Sequence, residues 1–375
     1  MSRGTRPSHP WSDLGCPPRQ LCDFLGGLLR NEDADLVNRL AGGTLSLQAV
    51  DALVSRHRVG PFLSLRLEGS PVRAALPEIT LQRIDKGAER QMVLAERCLG
   101  GLDLLNRAFQ AEGLPFVLIK GLEMAQRLFG SVSARGFWDL DLLVREEDRD
   151  RTCRLLENQG FTLLSTAFLG ERLSATFTHA FDFAREDFKL DLHWCLSRLP
   201  GLRLDLTALF ERAEWLDIDG LQVRVLNLED ELAFVLISVF ADIQCGYLRL
   251  QSFIDLFALI QNFPDLDWSA FFVRRQAERS EAMCRAVLGL FLATLNLESA
   301  FPALKQALGQ TPTADEALNV LEPSQWGGRS KVWASKSLPV SQAYFASWWL
   351  VSLPFRVAAS HPRFRKQPGK PATRP

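Results

Sequence analysis

The stretch Pro115–Val144, PFVLIKGLEMAQRLFGSVSARGFWDLDLLV, restricts the architecture of this chain more than any other. An apolar run, Phe116 to Ile119, stops at Lys120-Gly121. Helix-like sequence follows, and a second apolar run then carries Asp139 and Asp141. Short apolar runs punctuated by glycine predict the order strand, glycine turn, helix, strand. Side chains in a strand alternate between faces, so Asp139 and Asp141 are expected to share one. Flanked by Trp138, Leu140, Leu142, Leu143 and Val144, the two carboxylates repel each other. Such a pair is tolerable where the face is wet or where a cation neutralises it. From the pair alone, an edge strand with two solvated acids explains the string equally well, because D-x-D is short and common.

The turn alters that balance. Backbone N–H groups of a helix starting at Gly121 can hold phosphate, and Lys120 adds a point positive charge beside them. Gly130-Ser131 is a second candidate turn, but it follows helix-like sequence, whereas Gly121 has a strand before it and a helix after it. A third acid comes from residues 176–194. There Phe177, His179, Phe181 and Phe183 alternate with polar or small residues, Arg185-Glu186-Asp187 breaks the pattern, and Phe188, Leu190, Leu192 and Trp194 alternate with Lys189, Asp191 and His193. This predicts a β-hairpin with Asp191 and His193 opposite its apolar face. In an isolated hairpin that face would simply be solvated.

Together, LIKG at 118–121, Arg135, DLDLLV at 139–144 and DLHW at 191–194 resemble an uncharacterised bacterial nucleotidyltransferase family of the superfamily that includes DNA polymerase beta. The resemblance covers roughly residues 45 to 275. It implies an α+β fold: a polymerase beta-like core, with a small mixed sheet and helices, flanked by N-terminal and C-terminal helical regions. It also implies that Asp139, Asp141 and Asp191 are catalytic and hold Mg²⁺, as two ions, or Mn²⁺. By the same resemblance Lys120, Gly121 and Arg135 bind an NTP such as ATP, His193 lies near the site, and His179 is a weaker candidate of the same kind. The implied reaction transfers an NMP to a hydroxyl of a small-molecule, sugar or protein acceptor and releases pyrophosphate. A catalytically silent nucleotide-binding or scaffold protein of a biosynthetic or surface-polysaccharide pathway is the alternative, and the intact carboxylates favour the enzyme. The family's histidine late in the first C-terminal helix is absent here, where the chain reads VFADIQCGY at 239–247.

The remaining sequence sets the surroundings. At 375 residues the chain can hold two or three domains. Lys plus Arg (43) balance Asp plus Glu (44) to a net charge of −1, so nothing global favours nucleic acid. A basic stripe with interleaved aromatics is also missing, which argues against a polymerase. Seven cysteines, an odd number without C-x-x-C spacing, predict reduced thiols in a cytoplasmic protein. No run approaches the roughly 18 apolar residues of a membrane span, and the first twenty residues show no secretory signal.

The expected organisation is a disordered lead at 1–18, an N-terminal helical region at 19–114, the nucleotidyltransferase core at 115–226, a C-terminal helical domain at 227–310, and an irregular tail at 311–375. The tail includes one apolar helix, Gln342–Leu353. The N-terminal region is expected to close on a long helix that begins with Pro77 and reaches about Ala111, with Gly87, Gly100 and Gly101 as candidate bends. His57 reads as a packing residue or a solvated helix end.

Overall fold

The computed structural model of the chain describes residues 16–164, 180–186, 188–197, 199, 201–245 and 248–321, leaving the side chain of Cys245 aside. His179 and the apolar segment Gln342–Leu353 lie outside the described residues. Six helices come first: α1 (Pro18–Leu29), α2 (Asp33–Ala41), α3 (Leu47–Arg56), α4 (Gly60–Arg66), α5 (Pro71–Ala74) and α6 (Glu78–Ala111). The α/β part comprises β1 (Val117–Ile119), α7 (Gly121–Phe129), β2 (Leu140–Leu143), α8 (Arg149–Asn158), β3 (Thr162–Leu163), β4 (Ala180–Arg185), β5 (Phe188–His193), α9 (Leu206–Arg212), β6 (Glu214–Ile218) and β7 (Leu221–Val225). Six further helices follow: α10 (Leu228–Cys245), α11 (Gln251–Gln261), α12 (Trp268–Ala277), α13 (Glu281–Leu295), α14 (Pro302–Leu308) and α15 (Ala314–Leu321).

The fold is α+β, with one mixed seven-stranded sheet in the order β3-β4-β5-β2-β1-β7-β6. At its centre β1 runs antiparallel to β2 and parallel to β7, and β2 runs parallel to β5. Every residue of β1 and β2 is buried. Strands covered on both faces need no alternation, which is why VLI and LDLL read as continuous apolar runs around one acid. The predicted hairpin forms between β4 and β5 and turns at Glu186, whose φ is 54°. Strand β6 carries no comparable signal in EWLDI; it is an edge strand that leaves Trp215 65% exposed, and only Ile218 is fully buried.

Helix α6 backs one face of the sheet, so that Leu102, Leu105 and Phe109 share a core with Leu118, Leu142, Leu192 and Trp194. The helix is not interrupted at Gly87, Gly100 or Gly101: α6 runs unbroken for 34 residues, and Pro77 is its N-cap rather than its first residue. Gly101 serves packing instead, since a Cβ there would fall 2.6 Å from the Phe188 ring and push β5 away. The opposite face of the sheet buries Val117, Ile119 and Leu143 against Phe210 and Phe234.

The two helical regions, expected on separate flanks, share a single core. Leu21, Leu25 and Leu28 of α1 belong to the same buried cluster as Leu288 and Leu292 of α13. Arg30 Nη1 ties the two helices together by donating to the Leu295 carbonyl at 2.6 Å. Helix α15 adds Ala317 and Leu321 to this core, so regular structure extends past the expected boundary at 310. Among the described residues no helix is long and apolar enough to cross a membrane.

Candidate functional site

At the end of β1 the chain turns sharply into α7. Lys120 takes φ 56° and ψ −162°, unusual for a residue with a side chain, and Gly121 follows at φ 50°. A Cβ on Gly121 would sit only 3.4 Å from the Asp139 carbonyl, so glycine lets the start of α7 lie close to the Asp139 backbone. The Lys120 ammonium lies 4.5 Å from the centre of the Phe234 ring.

Strand register brings the acids together. Asp141 of β2 pairs with Ile119 on one side and with Asp191 of β5 on the other. Asp141, Asp191 and His193 each offer one ligand atom within 4.8 Å of the others. His193 Nε2 and Asp141 Oδ1 are hydrogen-bonded at 2.9 Å. His193, read from the sequence as only near the site, is thus part of its tightest cluster. Asp139 is placed differently from expectation: β2 begins at Leu140, so Asp139 stands on the turn before the strand and outside this three-residue set.

The electrostatics are strongly coupled. Burial, with repulsion from Asp141, Asp139 and Asp182, lifts the Asp191 carboxyl to about 9. Asp182 is the direct cross-strand neighbour of Asp191, so the repulsion is built into the hairpin. Burial and Asp141 raise Asp139 to about 6. Asp141 moves the other way, because Lys120 and the His193 hydrogen bond outweigh its burial and hold it below the usual carboxylate range. Burial lowers His193, against the pull of Asp141. Crowded carboxylates that resist ionisation are what a divalent cation would relieve. The donors, mostly hard oxygens with one imidazole nitrogen, fit Mg²⁺ or Mn²⁺.

Of this acidic group, Asp139 and Asp141 line a cavity of about 250 Å³, which Asp191 and His193 do not line. Arg58, in the link between α3 and α4, and Arg249, in the link between α10 and α11, line it together with Lys120 and Asp242. The two arginine links are joined by His57, which is fully buried and whose Nδ1 accepts the Leu250 backbone N–H at 3.1 Å. His57 is therefore a packing residue that also fixes the neighbours of Arg58 and Arg249. Burial and the charge of Arg249 weaken the ionisation of Arg58, pushing it down to about 10. Among the described residues no carboxylate forms an ion pair with Arg58, Lys120 or Arg249.

Arg135 differs from these three. It lines the cavity, but its Nε and Nη2 each donate to Asp255 of α11 at 2.8 Å, and Gln251 also donates to Asp255 at 2.9 Å. Burial works against the Arg135 charge, but Asp255, aided by the charges of Glu123 and Glu231, outweighs it and raises the guanidinium above its ordinary value. The sequence reading missed Arg58, Arg249 and Asp242. Each lies in or near a helix link, and nothing local marks it as part of the site.

A family model described as uncharacterised nucleotidyltransferase matches residues 45–298, well over half of the chain. No curated protein sequence matches the chain. Among solved structures, the antibiotic-resistance factor ANT(2'')-Ia in solution is 16% identical, with a TM-score of 0.34, over 51% of this chain and 92% of that one. A crystal structure of ANT(2'')-Ia with adenylyl-2''-tobramycin is 16% identical, with a TM-score of 0.34, over 48% and 98%. An antigenic nucleotidyltransferase-like protein from Paracoccidioides brasiliensis is 16% identical, with a TM-score of 0.32, over 61% and 96%.

Proposed function

The chain belongs to the family of uncharacterised nucleotidyltransferases, and on that premise we propose that it transfers an NMP from an NTP to an acceptor hydroxyl in a reaction that needs Mg²⁺ or Mn²⁺. The acceptor is a small molecule, a sugar or a protein. One observation carries the reading: Asp139 and Asp141, the latter joined to the Asp191 and His193 cluster, line one cavity with Arg58, Lys120 and Arg249. Carboxylates on one side suit a cation, and unpaired cations on the other suit a polyphosphate.

Asp141 and Asp191, with His193 and the nearby Asp139, are the residues that would hold the metal. Bound divalent ions polarise the phosphoryl oxygens and neutralise the leaving group in such transfers. The chain's own groups do the rest. The amides at the start of α7 and Lys120 receive the β and γ phosphates. Arg58 and Arg249 hold them from the helical side. Arg135, tied to Asp255, keeps the turn bearing Asp139 in place. Asp191, beside Asp141, is the carboxylate that would take the hydroxyl proton once a bound cation holds it ionised. The acceptor oxygen bonds to the α-phosphorus, the bond from that phosphorus to the bridging oxygen breaks, and pyrophosphate leaves. Cys16, Cys22, Cys98 and Cys284 are free thiols, which fits a reducing cytoplasm.

Calorimetry with each NTP and Mg²⁺, on the wild type and on Asp139→Asn/Asp141→Asn, tests the reading. Metal-dependent binding of at least one NTP, lost in the double variant, is expected. Failure of every NTP to bind with either Mg²⁺ or Mn²⁺ would sink the proposal.

A further inference from the structure

A second cleft, of about 390 Å³, opens beside the first. The two share Arg58, Gly136, Phe137 and Trp138, so a molecule in the second cleft adjoins the turn that carries Asp139. Its long wall is α6. Arg83, Lys86 and Arg90 are spaced three and four residues apart and therefore form one stripe of that helix. At its floor α4 meets α6 through Gly60 and Gly87, where a Cβ on either would lie 3.7 Å from the other's Cα. Trp138, 58% exposed, forms the side nearest Asp139, with the Arg58 guanidinium 5.3 Å from its ring centre. The Gln91 side-chain oxygen accepts the Phe137 N–H at 3.3 Å and anchors this turn to α6.

No Asp or Glu lines the cleft. Arg83 is neutralised from outside it by Asp51 at 3.0 Å. Among the described residues Lys86 and Arg90 have no carboxylate partner. An apolar ring face beside several cations of one sign suits a small ligand with a flat hydrocarbon surface and a negative group.

We propose that this cleft receives the acceptor, and that the acceptor is a small hydroxyl compound bearing a phosphate or a carboxylate. The inference rests on the nucleotidyl-transfer reading above. A neutral acceptor would draw only the weaker, uncharged-acceptor hydrogen bonds from Lys86 and Arg90, and a cationic one would be repelled. The anionic group lies toward α6, and the reacting hydroxyl points past Trp138 to the carboxylates.

Calorimetry on the full chain with glucose 6-phosphate, glucuronate and glucose as probes tests it. Glucose 6-phosphate or glucuronate is expected to bind at least about tenfold more tightly than glucose, and whichever arm does so identifies phosphate or carboxylate as the group read. The charge reversal Lys86→Glu/Arg90→Glu should erase that preference, and Lys86→Gln/Arg90→Gln should weaken it, while both keep Mg²⁺-dependent ATP binding. Equal binding of all three sugars, a preference that survives the reversal, or loss of ATP binding in the reversed variant would each overturn the proposal. In Asp139→Asn/Asp141→Asn the sugar preference should persist although the nucleotide no longer binds. A failed nucleotide site and a failed acceptor cleft therefore give different patterns.

Discussion

The two kinds of charge that line the cavity proposed for the nucleotide are built on opposite plans. The acidic side joins Asp141 to Asp191 on the adjacent strand and to Asp139 on the turn before β2, and these groups crowd until Asp139 and Asp191 are driven toward their neutral forms. The basic wall is gathered from Arg58, Lys120 and Arg249, which lie on three separate links and are spread around the cavity. A rigid ladder suits ligands that must converge on a point. Links between helices suit contacts to a polyphosphate, which is long and tolerates spacing. The difference teaches that the sheet fixes the chemistry, while the shared helical core fixes what can be held against it.

The sharpest way to break the contrast is to remove one strand carboxylate. Asp141→Asn keeps the volume and the capacity to hydrogen-bond His193, so the fold should survive. Turnover should fall on the order of 10³-fold, because charge stabilisation at the reacting centre is lost. Pyrophosphate release, with circular dichroism as the control, measures both parts. Comparable turnover in the variant would remove Asp141 from the proposed role.

The next effect concerns the link between the walls. Arg135 and Asp255 form a buried bidentate pair that fastens the turn before β2 to α11. Asp255→Asn leaves the guanidinium buried without its counter-charge, which costs about 3–5 kcal/mol. Urea denaturation of the variant should show that loss. A stability within 1 kcal/mol of wild type, by the order-of-magnitude scale for surface changes, would mean the pair is not what joins the walls.

How much of this was legible in the sequence follows the same division. The order strand, turn at Gly121, helix and strand, and the hairpin that carries Asp191, could be read because strand alternation and glycine punctuation are local signals, whereas the joining of Asp191 to Asp141 came from the resemblance. The α+β architecture followed from them and from the resemblance they carry. The partner of His193 could not be read, since its bond to Asp141 depends on β2 and β5 lying parallel and in register, a pairing between distant segments. Asp139 stands one residue before β2, where the chain leaves the turn for the strand, and lines the same cavity as Asp141. Arg58 and Arg249 were invisible for a different reason: two lone arginines meet only because His57 and Leu250 bind each other in the folded core. Strand β6 went unread because its outer face is exposed and its apolar residues do not alternate.

The basic wall can be tested by itself. Arg249→Gln removes one charge-assisted contact to a phosphate, worth about 1.5–3 kcal/mol, or roughly 10- to 150-fold in Kd. The loss should be larger for an NTP than for the corresponding nucleoside monophosphate if the arginine reads the outer phosphates. Equal losses for both would place Arg249 elsewhere in the cavity. Arg58→Gln should behave alike, but its stack on Trp138 ties it also to the neighbouring cleft.

The smallest effect lies beneath the walls, where Glu123 of α7 and Glu231 of α10 are both fully buried. Burial raises Glu231 to about 7, against the pull of Arg127 and Lys120, and raises Glu123 well above its ordinary value, with Glu231 as the next cause. A carboxyl raised in the folded state keeps its proton there at a pH where the unfolded chain has released it. Its contribution is therefore complete below the unfolded pKa and is lost as pH climbs through about 7. Thermal melting should show stability declining from pH 5 to pH 8. Glu231→Gln, which is neutral at every pH, should flatten that decline. It should also leave Lys120 without a nearby developing negative charge at pH 8, so NTP affinity there should equal or slightly exceed that of wild type. An unchanged pH slope in the variant would mean that the titrating group is Glu123 or lies elsewhere, and Glu123→Gln then separates those two cases.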